Sequence, residues 1–314
     1  MDNFNPRSDL WQTTTKKHIS REQFLALIDA EVTFSIDDIG FSIDKGILHR
    51  YYGNHEAVII PCGITHICKD AFLDNKTVKY IILPDSIKSI GSHAFAYCNN
   101  LIAIFLPIGL EEIGDDAFYL CNRLRYIDIP QTVKRIGNGA FWRCHKLASV
   151  TLEEGLEFIG KKAFRRCDEL TTVTIPSTVY SLGEKAFYGC KSLQDVTMNC
   201  QLDELKDGMF EKCAITQIAL PRTIRRIGWR AFYDCRALSQ IGLPSSLEEI
   251  SDEAFRQCVV LEQIYIPSKV KFIGFWAFGS CWSLEDIKFP QTPINIAYNA
   301  FYGCKNLDKD LLPK

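Results

Sequence analysis

The sequence predicts an α/β solenoid, with short parallel strands forming a sheet along one face and short helical turns or loops forming the other. Three observations carry this expectation. A 23-residue spacing runs through most of the chain, an Ala-Phe pair recurs at fixed phase, and a β-branched residue sits at the centre of each expected strand. Pro84 to Leu106 gives the template: Pro84, Ile87, Ile90, Gly91, Ala94, Phe95, Cys98, Leu101, Ile104 and Leu106, after which Pro107 opens the same series. Units begin at 61, 84, 107, 130, 153, 176, 199, 221, 244, 267 and 290, with Glu153 and Asn199 in place of Pro; the one short step lacks a residue between Cys213 and Ile218.

The N-terminal stretch 1–17 is polar and unpatterned and reads as a flexible terminus, with Trp11 as its one residue suited to docking. Residues 18–60 read as a cap of helix and hairpin. Ser20 is placed as a helix N-cap, Gln23 completes a capping box, and Ile19 with Phe24 forms a hydrophobic staple, so a helix is expected to about Ala30, covering or flanking the first rungs. Phe41-Ser42-Ile43 and Ile47 to Tyr51 flank the turn-rich trio Asp44-Lys45-Gly46 and predict a hairpin. Val58-Ile59-Ile60 is the strand of a rung whose front half this hairpin replaces, and the cap covers the edge of the core.

Residues 61–314 form the array of eleven units, the last degenerate. In each, the run Leu-x-x-Ile-x-Leu-Pro is the strand: the period of two sends Ile104 and Leu106 inward, and Pro107 ends the ladder because it carries no N–H. The Gly at the eighth position, as in Gly91 and Gly114, is read as permitting a turn that other residues resist. Eleven phenylalanines at one phase, Phe72 to Phe301, predict a stacked internal column. Ten cysteines, Cys98 to Cys304, occupy another single phase, with Asn75 in the first unit. They read as compact buried thiols at a tight turn, a reduced cysteine ladder rather than a disulfide framework. At the C-terminus Asp310 replaces the central strand residue, and folding of Leu311-Leu312-Pro313-Lys314 over the last rung is favoured over contact with another chain.

The repeat Pro-x-x-Val/Leu-x-x-Ile-Gly-x-x-Ala-Phe-x-x-Cys-x-x-Leu-x-x-Ile-x-Leu resembles the leucine-rich repeat of the BspA-like, or Treponema pallidum, class from Pro61 to Leu307. Gly40 to Leu48 resembles the hairpin that often precedes such repeats. The resemblance implies a right-handed leucine-rich repeat array and a non-enzymatic protein-binding or adhesion module. It names no partner.

Composition narrows the remaining classes. Hydrophobic residues are 47 % of the chain and the formal net charge is −2, so the concentrated positive field of a nucleic-acid binder is absent and no such partner is expected. Met1 to Lys17 holds no apolar run and no window is long enough to span a membrane, so the chain as written is expected in the cytoplasm. The alternative is a secreted or surface protein whose export signal is missing or unconventional. No cofactor is expected, no catalytic set stands out, and the one metal-like trio, Cys62, His66 and Cys68, lacks a fourth ligand.

Outward positions on the strands run from aromatic and aliphatic (Tyr80, Ile82, Phe105, Tyr126) through small and hydroxylic to polar. Tyr80, Ile82, Phe105 and Tyr126 are therefore the candidate partner-binding anchors, unless the N-terminal helix folds over them. Phe275, Trp276 and Trp282 lie close together in one unit near the end of the array and are the candidates for self-association into a homo-oligomer, the basis of an alternative structural or assembly role. Lys161-Lys162 and Arg165-Arg166 read as a solvated basic rung set against Glu153, Glu154, Glu157 and Asp168.

Overall fold

Residues 20–27, 40–308, 310 and 312 are described by a computed structural model. Trp11, Ile19 and residues 28–39 lie outside them, as do 309, 311, 313 and 314. The chain winds into a solenoid in which each unit contributes two strands to two separate parallel ladders. The first uses the expected strands, such as Tyr80–Ile82, Ala103–Phe105, Thr172–Ile175 and Asp195–Met198, but the expected single sheet is broken there into one three-stranded and four two-stranded sheets among the described residues. Their register places like residue against like: Ile81 pairs with Ile104, Val173 with Val196 and Ile264 with Ile287. Each unit's Pro then opens a turn, its carbonyl accepting from the residue three places on, as Pro107 O does from Leu110 N at 3.2 Å.

The second ladder was not anticipated. Two-residue strands such as Ser89–Ile90, Glu112–Ile113 and Arg135–Ile136 pair side by side on the other flank, in one sheet from residues 41 to 182 and another from 204 to 296. Two residues are too few to show a period of two, so these strands leave no signal in the sequence, which predicts loops or short helical turns there.

Between the ladders run the internal files. From Phe72 to Phe301 every ring lies 5.0–5.8 Å from the next, nearly parallel, and all but the last are buried. The cysteine file is bonded as well as packed. Each Sγ–H donates to the carbonyl of the Phe in the preceding rung, as Cys144 does to Phe118 at 3.1 Å and Cys167 to Phe141 at 3.3 Å. A thiol thus fills the turn and ties neighbouring rungs together, and all thirteen cysteines are unpaired. The missing residue at Cys213 is absorbed in the turn between the Cys and Leu files, where Ile215 takes the Leu site fully buried.

The helical part of the expected α/β mix is not formed. Around the Ala-Phe pair, alternate N–H groups point in different directions: His93, Phe95 and Tyr97 donate forward to the next rung, whereas Ala94, Ala96 and Cys98 close three-residue turns within their own. A helix would send every N–H along its own axis, so this alternation excludes one. It also forces positive φ at two positions per rung, often on ordinary residues, such as His93 at 56° and Tyr97 at 62°. The inter-rung bonds offset the cost of that conformation.

The eighth-position glycines have another reason. They have no positive φ; a Cβ on Gly160 would stand 2.5 Å from Asn138 N and 2.6 Å from Gly137 C, both backbone atoms of the rung below. These glycines allow rungs to approach, not the chain to turn. Gly160→Ala is therefore expected to destabilise by about 1–3 kcal/mol in urea melts, the usual cost of overpacking. Gly189→Asn, at a positive-φ position that Arg166 and Lys212 occupy in adjacent rungs, is expected to cost about 1 kcal/mol or less. Equal costs would overturn the distinction.

At the N-terminus the hairpin β1 (Phe41–Asp44) and β2 (Ile47–Tyr51) turns at Lys45 and Gly46, both at positive φ as a two-residue hairpin requires. It extends the second ladder through Ile47 and Leu48. It also supplies two rings to the phenylalanine file: Tyr51 lies 4.8 Å from Phe72, and Phe41 4.8 Å from Tyr51. The expected hairpin cap thus closes the core. The helix does not. Helix α1 (Arg21–Leu27) begins with the expected capping box, Gln23 N donating to Ser20 Oγ and Ser20 N to Gln23 Oε1. It lies against the strand face instead of the open end, because its Phe24 finds an apolar patch there.

Candidate functional site

The first ladder's outward face changes character along the array. On the first rungs Phe24 of α1 is buried among Ala57, Tyr80, Ile82, Ala103 and Phe105, with its ring 5.7 Å from that of Phe105. Three of the four anchors inferred from the sequence, Tyr80, Ile82 and Phe105, are therefore covered in this conformation, and Tyr126 at the margin stays half-buried. The face accepts an aromatic side chain presented by a helix; here that helix belongs to the same chain.

Beyond Tyr126 the face opens. Thr172, Thr174, Asp195 and Thr197 are exposed, and the next rungs form a shallow trough of ≈ 620 Å³ lined by Asp195, Thr197, Gln217, Gln240, Gln263 and Tyr265. Gln217 and Gln240 sit in register on adjacent strands. Tyr265 forms one wall, its hydroxyl donating to Gln263 Oε1 at 2.8 Å and its ring facing Lys288 Nζ at 4.7 Å. A row of amides offers donors and acceptors together, a surface suited to hydrogen bonding with a polar partner. The sequence placed these residues outward but did not reveal the trough, which depends on the rungs stacking side by side.

The three candidate self-association residues are each engaged with the following rung. Phe275 meets Tyr298 edge-on at 5.8 Å, Trp276 lies 4.7 Å from Tyr302, and Trp282 lies under Lys305 Nζ at 4.9 Å. Phe275 and Trp282 remain exposed, as do Tyr298 and Tyr302. Beside them the last rung encloses a cavity of ≈ 470 Å³ lined by Ile296, Tyr298, Phe301, Cys304, Leu307 and Leu312. Leu312 packs against the core, but Phe301 stays half-buried, so closure at this end is partial among the described residues.

The metal-like trio does not assemble: Cys68 Sγ is 3.6 Å from His49 Nδ1, and no group of three possible metal ligands occurs among the described residues. Within those residues no helix is long and apolar enough to cross a membrane.

The family model described as a BspA type leucine rich repeat region, in six copies, matches residues 48–170, 111–239, 157–285 and 203–314. Among solved structures, a leucine-rich repeat protein from Bacteroides ovatus is 28 % identical with a TM-score of 0.58, over 79 % of this chain and 76 % of that one. A leucine rich cell surface protein from Faecalibacterium prausnitzii is 23 % identical with a TM-score of 0.50, over 89 % and 95 % of the two chains. The pneumococcal vaccine antigen PcpA is 21 % identical with a TM-score of 0.57, over 89 % of both; the last two likenesses concern the fold alone. None of the curated proteins matches.

Proposed function

This chain belongs to the BspA-type leucine-rich repeat family, and we propose that it is a non-enzymatic protein-binding module of adhesion type that engages its partner along the strand face. The observation that carries the reading is the seating of Phe24. A face that buries an aromatic anchor from a helix in its own chain has the apolar chemistry to receive one from another protein. Tyr80, Ile82, Phe105 and Tyr126 are the anchors in this reading, and the trough from Asp195 to Tyr265 adds polar contacts. Repeat membership supports binding in general, so the partner follows from side chains and not from the fold.

A photo-crosslinking residue placed at Tyr126 or Gln240 is expected to capture a protein from the source cells or their surroundings, whereas one at Ser89, on the second ladder, captures little. Equal capture from both ladders would remove the strand face as the site.

A second reading, assembly through the C-terminal end, is favoured by the partial closure there and the exposed rings of Phe275, Trp282, Tyr298 and Tyr302. Light scattering over a concentration series tests it. The expected result is a larger species lost in the Phe275→Ala/Trp276→Ala/Trp282→Ala variant, and a monomer at every concentration rejects it.

A further inference from the structure

The basic rung read from the sequence as a solvated face is part of a longer tract on the turn edge of the array. Three of its four expected counter-ions are committed elsewhere. Glu154 accepts from Ser177, Glu157 pairs with Lys134 at 3.5 Å, and Asp168 pairs with His145 and Lys191. Arg143, Lys162, Arg165, Arg166, Lys185 and Lys212, spread over four consecutive rungs, are left without an ion pair among the described residues; Lys161 alone is matched, with Glu184.

Aromatic rings hold five of these six cations in place. The Arg165 guanidinium stands between the rings of Trp142 and Tyr188, 5.2 and 4.5 Å from their centroids. Lys162 and Arg143 face Trp142, Lys212 faces Tyr188, and Lys185 faces Trp229. A guanidinium stacked by its face keeps its donors at its edge, where a planar carboxylate can take two of them at once. Arg143 Nε, Arg165 Nε and Trp142 Nε1 are buried and have no acceptor among the described residues, so the donors left to a ligand are the terminal guanidinium nitrogens and the Lys ammonium groups. Three carboxyls lie near the tract, Asp116 by Lys162, Glu184 by Lys185 and the buried Glu211, whose pKa that burial raises, and none of them forms an ion pair with these six cations among the described residues.

We propose that this cation-aromatic tract is a second binding site, one that takes a short Asp/Glu-rich segment of a protein partner. Its length decides between polyanions. The tract spans three steps of 5.2, 5.4 and 5.8 Å, which an extended peptide at ~3.3 Å per residue crosses in about five residues. Beyond the tract the cations are already matched, Arg135 with Glu112 and Asp115 at one end and Arg230 and Arg256 with Glu253 at the other, so a nucleic acid or a long sulfated chain continuing along the array meets no further unmatched positive charge there. The run of unmatched charge therefore suits a short ligand. The proposal shares with the previous reading only that the partner is a protein. It uses a different surface, so crosslinking from Tyr126 or Gln240 and binding at this tract can fail separately.

The test is fluorescence anisotropy on the full chain with a fluorescein-labelled peptide of about six glutamates, a length matched to the tract. The equivalent glutamine peptide, an oligothymidylate and a sulfated polysaccharide serve as comparisons. The expected result is binding of the glutamate peptide that weakens with salt and falls at least about tenfold in Lys162→Gln/Lys212→Gln. These two side chains lie at the surface and their replacement leaves the core untouched. Arg165→Lys, which keeps the charge and loses the fork, is expected to weaken binding several-fold, and Lys269→Gln, on another surface, to leave it unchanged. Absent binding, equal binding of the glutamine peptide, insensitivity to Lys162→Gln/Lys212→Gln, or tighter binding of the oligothymidylate or polysaccharide would each overturn it.

Discussion

Raising the pH from about 8 to about 10 is expected to unfold this protein, and the cysteine file is the reason. Burial pushes the thiols of Cys98 and Cys235 up to about 12, and it raises those of Cys121, Cys144, Cys167, Cys213, Cys258 and Cys281 as well. In the unfolded chain the same thiols ionise near 9. Between that value and the folded one the unfolded state has lost protons that the native state keeps, so stability falls as pH rises and is intact below about 9. Each fully linked thiol removes about 1.4 kcal/mol per pH unit, and eight of them overtake a domain's ~5–15 kcal/mol within one to two units.

Urea melts at stepped pH give the slope, and Cys144→Ala/Cys167→Ala is expected to reduce it by about two protons. A stability that stays flat beyond pH 10 in the parent chain would contradict the buried thiol file. Cys304, at the partly closed end, behaves differently. Its interaction with the Cys281 side chain lowers its pKa instead of raising it, so its removal should leave the slope nearly unchanged.

Phe164→Ala is expected to cost about 3–5 kcal/mol, the range for deleting a buried ring whose cavity cannot collapse. The ring is fully buried and lies 5.2 Å from Phe141 and 5.4 Å from Phe187, both held in place by their own rungs' backbone bonds. In a fold stabilised by nearest-neighbour stacking, a mid-array defect also uncouples the two halves, so its denaturation profile should broaden or split. Phe301→Ala, at a half-buried terminal ring with one file neighbour, is expected to cost about half as much. Equal losses at the two positions, or less than about 1.5 kcal/mol at Phe164, would mean that the file contributes little.

Much of this architecture was legible in the residues. The phenylalanine and cysteine files, the central strand residues, the hairpin and the capping box of α1 all stand where periodicity and local chemistry placed them, because each is fixed by spacing along the chain. The second ladder escaped notice because two-residue strands leave no periodic trace. The glycines were misread because their contact is with the rung below, 23 residues back. The site was half legible. Tyr80, Ile82 and Phe105 face outward as inferred, but their cover by Phe24 joins residues about 55 to 80 apart in sequence through a single apolar contact that no local pattern encodes.

By itself the sequence determined the repeat, the family and the identity of every stacked file, since a residue's phase in a regular coil dictates its inward or outward direction. The tertiary structure alone decided what covers the strand face, which cations lack counter-ions, and why a thiol and a glycine hold their places. Those outcomes rest on contacts between rungs and on the packing of α1, where atoms far apart along the chain come within bonding distance.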